Sequence, residues 1–190
     1  HVREFEKSCS KYFKSKKCLA VSSGTAAIKI GLRALGVKER DEVITQAFNF
    51  VATVEAILDL GAKPIIVNVD KTLNMDPIEL EKSITKKTKV VIPVHMLGFS
   101  AEMNKIKQIC KKKKIKVLED NCESVGAKYN NKFLGTFGEF STFSFYFSHQ
   151  ISSVEGGMIC CKSKQDENII KSLRCHGWAR DLSNQKKIEK

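Results

Sequence analysis

The stretch CLAVSSGTAAIKIGLRAL, residues 18–35, decides the fold because it joins a strand to a helix through a turn of small residues. Residues 18–21 are apolar and predict a buried strand. Apolar residues then recur at helical spacing and predict a helix over residues 25–35. A strand that is followed at once by a helix is the unit from which parallel sheets are built.

The same alternation continues along the chain. A helical pattern also opens it, carried by Phe5, Cys9, Tyr12 and Phe13. Further strands are predicted at 42–45, 64–67, 89–94, 115–118, 140–145 and 158–161, and further helices at 51–60, 77–84, 101–113 and from 163 onward. This spacing predicts a three-layer α/β domain with a mostly parallel sheet between helices. Ligands of such sheets bind at the carboxyl ends of the strands, so site residues are expected there.

Composition excludes several classes of protein. The chain has 190 residues, of which 42% are hydrophobic and 28% charged, values typical of a globular domain rather than a disordered chain. No apolar run reaches the ~18 residues that span a bilayer, so no membrane contact is expected. No signal peptide is recognised, and the seven cysteines form no CxxC pair. We therefore expect reduced thiols in a cytoplasmic protein.

The net charge of +12 raises the possibility of a nucleic-acid partner. The lysines, however, are spread along the chain, and the densest run, 111–114, ends a predicted helix, where cations suit the helix dipole. No aromatic residues interleave with that run. A solvated face and no nucleic-acid partner are expected. Because His1 enters a helical pattern without a cap and residues 183–190 are polar, residues 1–190 are expected to be one domain of a longer chain, with a C-terminal domain missing.

Two motifs follow predicted strands. The small residues of Ser-Ser-Gly-Thr-Ala-Ala, 22–27, let backbone N–H groups approach an anion at a helix N-terminus, which favours a phosphate site; plain N-capping by a serine explains them equally well. The acids Glu119 and Asp120 follow the strand at 115–118, and burying them is costly unless they are paired. A carboxylate there can keep a heterocyclic nitrogen protonated, and a metal site or a structural acid pair is the alternative.

Two histidines lie in predicted loops. His149 follows a run rich in hydroxyl residues, 141–148, and precedes a Gly-Gly turn, which suggests an active-site loop; a structural histidine is the alternative. His176 lies in Arg-Cys-His-Gly-Trp-Ala-Arg-Asp, 174–181, with the single tryptophan. That composition suits an anionic or sugar ligand, while a helix end at Gly177 is the alternative.

Taken together and in order, these segments resemble the sugar aminotransferase family, whose members bind pyridoxal phosphate. The similarity covers nearly the whole chain and includes the connecting phrases at 42–45, 61–64 and 93–95. The resemblance implies an aspartate-aminotransferase-like fold (fold type I), with residues 1–190 as the cofactor-binding large domain. It also implies a homodimer with the active site at the interface.

The resemblance implies roles for six residues toward pyridoxal or pyridoxamine phosphate. The matched positions are Gly24, Thr25 and Ser144 for the phosphate, Phe50 for stacking on the ring, Asp120 for the ring nitrogen, and Glu123, where many members have Gln near the ring hydroxyl.

One departure from the family pattern carries the functional prediction. Five residues after Ser144, aminotransferases of the family have the lysine that anchors the cofactor, and this chain has His149. Imidazole has no primary amine, but it moves protons near neutral pH. Histidine at this position is the signature of sugar 3-dehydratases, which make 3,6-dideoxy sugars of lipopolysaccharides. The phrases at 148–152 and 176–181 resemble the GDP-4-keto-6-deoxymannose type.

The resemblance therefore implies 3-dehydration of a nucleotide-linked 4-keto-6-deoxy sugar, with glutamate supplying the amino group of the cofactor. His149 is implied as the catalytic base, and His176 as a substrate contact or a proton donor to the leaving group. Two alternatives stay open. One is an ordinary nucleotide-sugar aminotransferase, and the other is a non-catalytic binding or regulatory protein that kept the fold.

A related dehydratase that acts on a CDP sugar carries an iron–sulfur cluster, and Cys122 matches its first cluster cysteine. That enzyme has Cys-x-Cys after its Arg-Asp pair, whereas Leu182, Ser183 and Asn184 follow the pair here. We therefore expect no metal in this chain.

Overall fold

The computed structural model describes residues 1–179 and 182. Within them the chain forms six α-helices, nine strands and a 3-10 turn at Met96–Gly98. In chain order they are α1 (Val2–Tyr12), β1 (Lys17–Val21), α2 (Gly24–Ala34), β2 (Glu42–Gln46), α3 (Val51–Leu58), β3 (Lys63–Val67), α4 (Pro77–Ser83), β4 (Thr88–Ile92), α5 (Met103–Lys113), β5 (Lys116–Asp120), β6 (Lys128–Tyr129), β7 (Lys132–Phe133), β8 (Phe140–Ser144), β9 (Gly157–Cys161) and α6 (Lys164–Arg174).

Seven strands form one sheet in the order β1-β9-β8-β5-β4-β2-β3. Strand β9 runs antiparallel to both of its neighbours, and the other neighbouring strands are parallel. Strands β2, β8 and β9 are buried along their whole length, as expected for a sheet covered on both faces. The predicted α/β class with a mostly parallel sheet is confirmed.

Neighbouring residues of one strand contribute to different cores, because side chains alternate between the faces of a sheet. Leu118 and Ile159 pack with α2, α3 and α6 on one face. Val117 packs on the opposite face with α4 and α5, and Cys160 packs there with the end of α1. The result is the three-layer arrangement that the sequence predicts.

The start of α2 is held tightly against the sheet. Ser23 caps the helix, and its Oγ accepts the backbone N–H of Ala26 at 3.1 Å. Gly157, the first residue of β9, lies so close that a Cβ there would stand 2.2 Å from the Ser23 carbonyl oxygen. Glycine at this position therefore lets β9 pass directly beneath the helix N-terminus, next to the carboxyl ends of the parallel strands.

Two features differ from the sequence prediction. Strands β6 and β7 form a small hairpin whose turn residues, Asn130 and Asn131, have φ of 48° and 62°. Asparagine tolerates this left-handed region, and such a turn suits a tight hairpin. The reversed direction of β9 was also not predicted. No helix within residues 1–179 and 182 is both long and apolar enough to cross a membrane.

Candidate active site

A cavity of about 580 Å³ opens where four strands of the sheet end. Its wall includes Gly24 and Thr25 from the turn after β1, Val94 after β4, Asp120 at the end of β5 and Ser144 at the end of β8. These chain segments are far apart in sequence and meet because parallel strands bring their carboxyl ends to one edge.

The cavity brings together seven of the eight residues that the sequence singles out. They are Gly24, Thr25, Phe50, Asp120, Glu123, Ser144 and His149. The eighth, His176, is exposed in the turn after α6 and is not part of the cavity wall. There the Gly177 N–H donates to the Ser172 carbonyl at 2.8 Å, so this stretch does end a helix. Arg180 and Asp181 of the same motif lie outside the described residues.

The beginning of α2 can bind an anion. A helix N-terminus carries partial positive charge and backbone N–H groups without helical partners. Ser23 caps the helix while Gly24 and Thr25 line the cavity, so capping and anion binding are compatible here. A Cβ at Gly24 would stand 2.7 Å from Ser144 Cβ and 3.1 Å from Cys122 Sγ, which leaves no room for any side chain.

Asp120 is the buried acid of the cavity, with 3% of its surface exposed. Its Oδ1 accepts the backbone N–H of Cys122 at 3.1 Å, and its Oδ2 accepts the hydroxyl of Thr53, from α3, at 2.9 Å. Its backbone is also fixed, because its N–H donates to Pro93 and its carbonyl accepts the N–H of His95. The carboxylate is therefore held in one orientation and can pair with a cationic group in the cavity.

Glu119 has a different environment, so the two acids are not paired with each other. Its carboxylate accepts three backbone N–H groups of the loop before β8 and lies 3.3 Å from His95 Nε2. The three donors are Gly135 at 2.8 Å, Phe137 at 2.6 Å and Gly138 at 2.5 Å. Successive residues of a strand point to opposite faces, and only Asp120 lines the cavity. Glu119 therefore fixes the loop before β8 and has a structural role.

His149 belongs to the loop between β8 and β9. It is half-buried, and its backbone N–H donates to the Tyr146 carbonyl at 3.0 Å. Gln150 Nε2 donates to the carbonyl of Glu123 at 2.8 Å and so ties the loop to the segment that follows β5. The imidazole is thereby placed in the wall of the same cavity as Asp120, where it can take up and release a proton.

Two acceptors of the cavity wall are buried without a protein donor. Within the described part of the chain, neither Asn49 Oδ1 nor Glu123 Oε2 has a hydrogen-bond partner. Buried acceptors of this kind are costly when left unpaired. A ligand that presents donors to both atoms would satisfy them.

Sequence reasoning missed the roles of Asn49 and Thr53. Thr53 lies three residues after Phe50, so one turn at the start of α3 brings both residues to the cavity. That spacing is the signal that could have identified Thr53. The unpaired oxygen of Asn49 is visible only in the structure, because the amide Nδ2 is taken by Thr45 Oγ1 at 3.1 Å.

Cys122 is a thiol of the cavity wall and not part of a metal cluster among the described residues. Burial raises the pKa of Cys122 well above its usual value, and the charge of Asp120 raises it further. Among residues 1–179 and 182, no three His, Cys, Asp or Glu side chains are grouped so that they could hold a metal ion. Most of the segment compared with the cluster-bearing enzyme, residues 180–184, lies outside the described part.

A family model matches the chain over residues 1–190. The chain belongs to the DegT/DnrJ/EryC1/StrS aminotransferase family. This membership confirms the resemblance drawn from the sequence motifs, and with it the aspartate-aminotransferase-like fold.

Two sugar dehydratases and one aminotransferase are among the known proteins to which the chain is similar. GDP-4-keto-6-deoxy-D-mannose 3-dehydratase of Yersinia pseudotuberculosis is 39% identical over 188 residues, which cover 95% of this chain and 48% of that protein. The solved structure of the E. coli GDP-4-keto-6-deoxy-D-mannose 3-dehydratase with bound hydrated PLP is 37% identical with a TM-score of 0.90, over 95% of this chain and 48% of that one. An aminotransferase from Psychrobacter cryohalolentis is 29% identical with a TM-score of 0.88, over 90% and 44%. The chain spans about half the length of these relatives.

Proposed function

We propose that this chain is the cofactor-binding part of an enzyme that removes the 3-hydroxyl of a nucleotide-linked 4-keto-6-deoxy sugar, using pyridoxal or pyridoxamine phosphate. The observation that carries the proposal is His149 in the wall of the cavity, at the position where aminotransferases of the family have a lysine. Similarity to two GDP-4-keto-6-deoxymannose 3-dehydratases supports it, one of them solved with bound PLP. Residues 1–190 would be the large domain of a longer chain.

The residues present fit the cofactor. Gly24 leaves a cradle at the start of α2 that any Cβ would fill, which suits a phosphate next to Thr25 and Ser144. Asp120 offers a buried carboxylate to a protonated ring nitrogen. The unpaired Oε2 of Glu123 suits a donor on the ring substituent. When bound, the cofactor supplies an amine that condenses with a ketone and a ring that withdraws electrons from it.

Three side chains of the cavity have separate roles toward the bound cofactor and the sugar. Phe50 covers the ring, and Asp120 keeps the ring nitrogen protonated so that developing charge is stabilised. An imidazole nitrogen of His149 would accept a proton from the carbon that bears the cofactor's amine and would return it to the 3-hydroxyl of the sugar, which leaves as water. Because imidazole has no primary amine, the cofactor is held by hydrogen bonds and stacking rather than by a covalent bond to this loop.

His176 is proposed separately as a substrate contact or a proton donor to the leaving hydroxyl. It is exposed and stands outside the cavity wall of this chain, so this role requires substrate or a second subunit to reach the turn after α6. The test is a change in KM for the sugar in His176→Ala with cofactor affinity unchanged.

We further propose glutamate as the amino donor, a homodimer as the active form and the cytoplasm as its location. Large apolar side chains around the cavity support the dimer, because Phe50 and Phe147 are 68% and 66% exposed in the single chain. All seven cysteines lie within the described residues as free thiols, four of them buried and three half-buried, which agrees with a reducing compartment.

The experiment that tests the function uses the full-length protein. It is incubated with glutamate and GDP- or CDP-linked 4-keto-6-deoxy sugars, and the products are identified by mass. A 3-deoxy-4-keto sugar with release of ammonia supports the proposal.

A 4-amino sugar would instead support the second candidate, an aminotransferase, which the structural similarity to the Psychrobacter enzyme favours. If none of these sugars is converted, the result would favour a non-catalytic role.

A further inference from the structure

Thr53 makes one contact that neither the motifs nor the proposed function assign. Its hydroxyl donates to Asp120 Oδ2 at 2.9 Å, and its side chain is buried with 1% of its surface exposed. The two residues are 67 positions apart, on α3 and at the end of β5. A buried hydroxyl without a partner would cost free energy, so this hydrogen bond is a fixed feature of the fold.

The bond acts together with a second donor on the other oxygen. Cys122 N–H donates to Asp120 Oδ1 at 3.1 Å. A carboxylate has about four acceptor positions, so these two donors set its rotation and leave the remaining ones for a group in the cavity. Without the Thr53 hydroxyl the carboxylate is held from the Cys122 side alone, and it can turn about its terminal bond, whose torsional preference is broad.

The location of Thr53 links two cofactor contacts. It lies in the first turn of α3, where its own N–H donates to the Phe50 carbonyl at 3.2 Å. Thr53 is therefore bonded to Phe50 through its backbone N–H and to Asp120 through its side chain, so one residue connects the two proposed cofactor contacts.

We propose that Thr53 is a positioning residue that aims the Asp120 carboxylate at the ring nitrogen of the cofactor. The proposal rests on the proposed function, because it requires a ring nitrogen to be aimed at. Thr53 itself does not touch the reacting atoms.

The test compares Thr53→Val, which keeps the shape and loses the hydroxyl, with Thr53→Ser, which keeps the hydroxyl. Full-length proteins are titrated with pyridoxamine phosphate by fluorescence, and the pH dependence of the bound cofactor's absorption spectrum is recorded. Because the Thr53–Asp120 bond is present with or without cofactor, its loss acts on affinity only through the misdirected carboxylate. Thr53→Val should therefore bind pyridoxamine phosphate up to about tenfold more weakly, the loss of part of the charged hydrogen bond between Asp120 and the ring nitrogen. Its spectrum should lose the protonated-ring form at lower pH than wild type. Thr53→Ser should bind pyridoxamine phosphate within about twofold of wild type and lose the protonated-ring form at the same pH as wild type.

Thr142→Val is the matched control. Thr142 is equally buried and stands opposite Asp120 in the neighbouring strand, but its hydroxyl bonds to the Glu119 carbonyl at 3.3 Å and to the Cys122 thiol rather than to the Asp120 carboxylate. Its removal should lower stability without changing the spectral titration. If Thr53→Val fails to fold, Thr53→Ala is measured against Thr53→Ser in its place.

Asp120→Asn separates this proposal from the function on which it rests. If Asp120→Asn weakens cofactor binding while Thr53→Val behaves as wild type or as Thr142→Val, the positioning role is wrong and the function stands. If Asp120→Asn changes neither affinity nor spectrum, the assignment of the cofactor site fails, and the positioning role fails with it.

Discussion

Gly24→Ala is the substitution whose effect follows most directly from the geometry. The added Cβ would stand 2.7 Å from Ser144 Cβ, a separation that real structures essentially never show, and 3.1 Å from Ser144 Oγ and Cys122 Sγ. Ser144 Cβ is attached directly to a buried strand and cannot swing away. The helix start or the end of β8 must therefore move.

Overpacking of this kind costs about 1–3 kcal/mol, and the better helix propensity of alanine returns at most about 1 kcal/mol. We expect the free energy of unfolding to fall by about 1–2 kcal/mol in urea titrations. The shifted backbone should also weaken phosphate contacts, so the affinity for pyridoxal phosphate should fall about tenfold or more.

Gly31→Ala is the control in the same helix. Its Cβ would meet Leu118 Cδ1 at 2.9 Å, the end of a fully buried core side chain outside the cavity, so stability should change while cofactor affinity does not. Wild-type cofactor affinity in Gly24→Ala, or an equal loss in both variants, would refute the reasoning.

Three further predictions concern other parts of the molecule. In His149→Lys of the full-length protein, borohydride should fix the cofactor covalently to the β8–β9 loop, seen as a peptide mass shift that wild type lacks; a labelled wild-type loop would contradict the account. Burial alone would raise the pKa of the Glu167 carboxyl, but its ion pairs with Lys171 and Lys164 outweigh burial and hold the pKa below its usual value. The stabilisation by Glu167 is therefore present above the carboxyl's unfolded pKa and is lost as the pH falls through the folded pKa. Urea titrations of Glu167→Gln should accordingly converge with wild type in acid, and a gap that persists at pH 3 would count against this. Because no Cys-x-Cys follows Asp181, the anaerobically purified full-length protein should contain no stoichiometric iron, and about two irons per chain would overturn the cluster-free assignment.

The sequence predicts the layers of this fold because the apolar residues of each strand indicate that the strand is buried. In strand β4, Thr88–Ile92, the apolar residues 90–92 are buried, and strand β9, Gly157–Cys161, is an apolar run that is buried along its whole length. The direction of a strand cannot be predicted in the same way, because the same apolar run can pair with a parallel or an antiparallel neighbour. The β8–β9 connection, residues 145–156, contains no helix, and that is the only sequence hint that β9 runs in reverse.

The candidate site was predictable where a motif fixes a residue at the end of a strand. Gly24, Asp120 and Ser144 follow this rule, and all three line the cavity. The separation of Glu119 from Asp120 follows from strand alternation once the strand is known to continue to residue 120, two residues beyond the predicted end. Thr53 could not be paired with Asp120 from sequence, because their contact depends on how α3 docks against β5.

The position of His176 shows the opposite case. Its motif suggested a ligand contact, yet the turn after α6 leaves it exposed and outside the cavity wall. That prediction rested on local composition alone, because no predicted helix or strand end fixed where His176 would lie. The helix end beside Gly177 is what the backbone forms, and the ligand contact of His176 stays a prediction.

The central claim is that His149 is the base of a sugar dehydration, and its most direct test is the rate at which His149→Ala forms the 3-deoxy product. Full-length wild-type and variant proteins, both loaded with pyridoxamine phosphate to the same extent, are mixed with the 4-keto-6-deoxy sugar, and the 3-deoxy product is quantified by mass over time. Loss of a positioned base should lower the rate by roughly 10²–10⁴-fold while cofactor binding changes little. A variant that dehydrates the sugar at near wild-type rate would show that His149 is not the base.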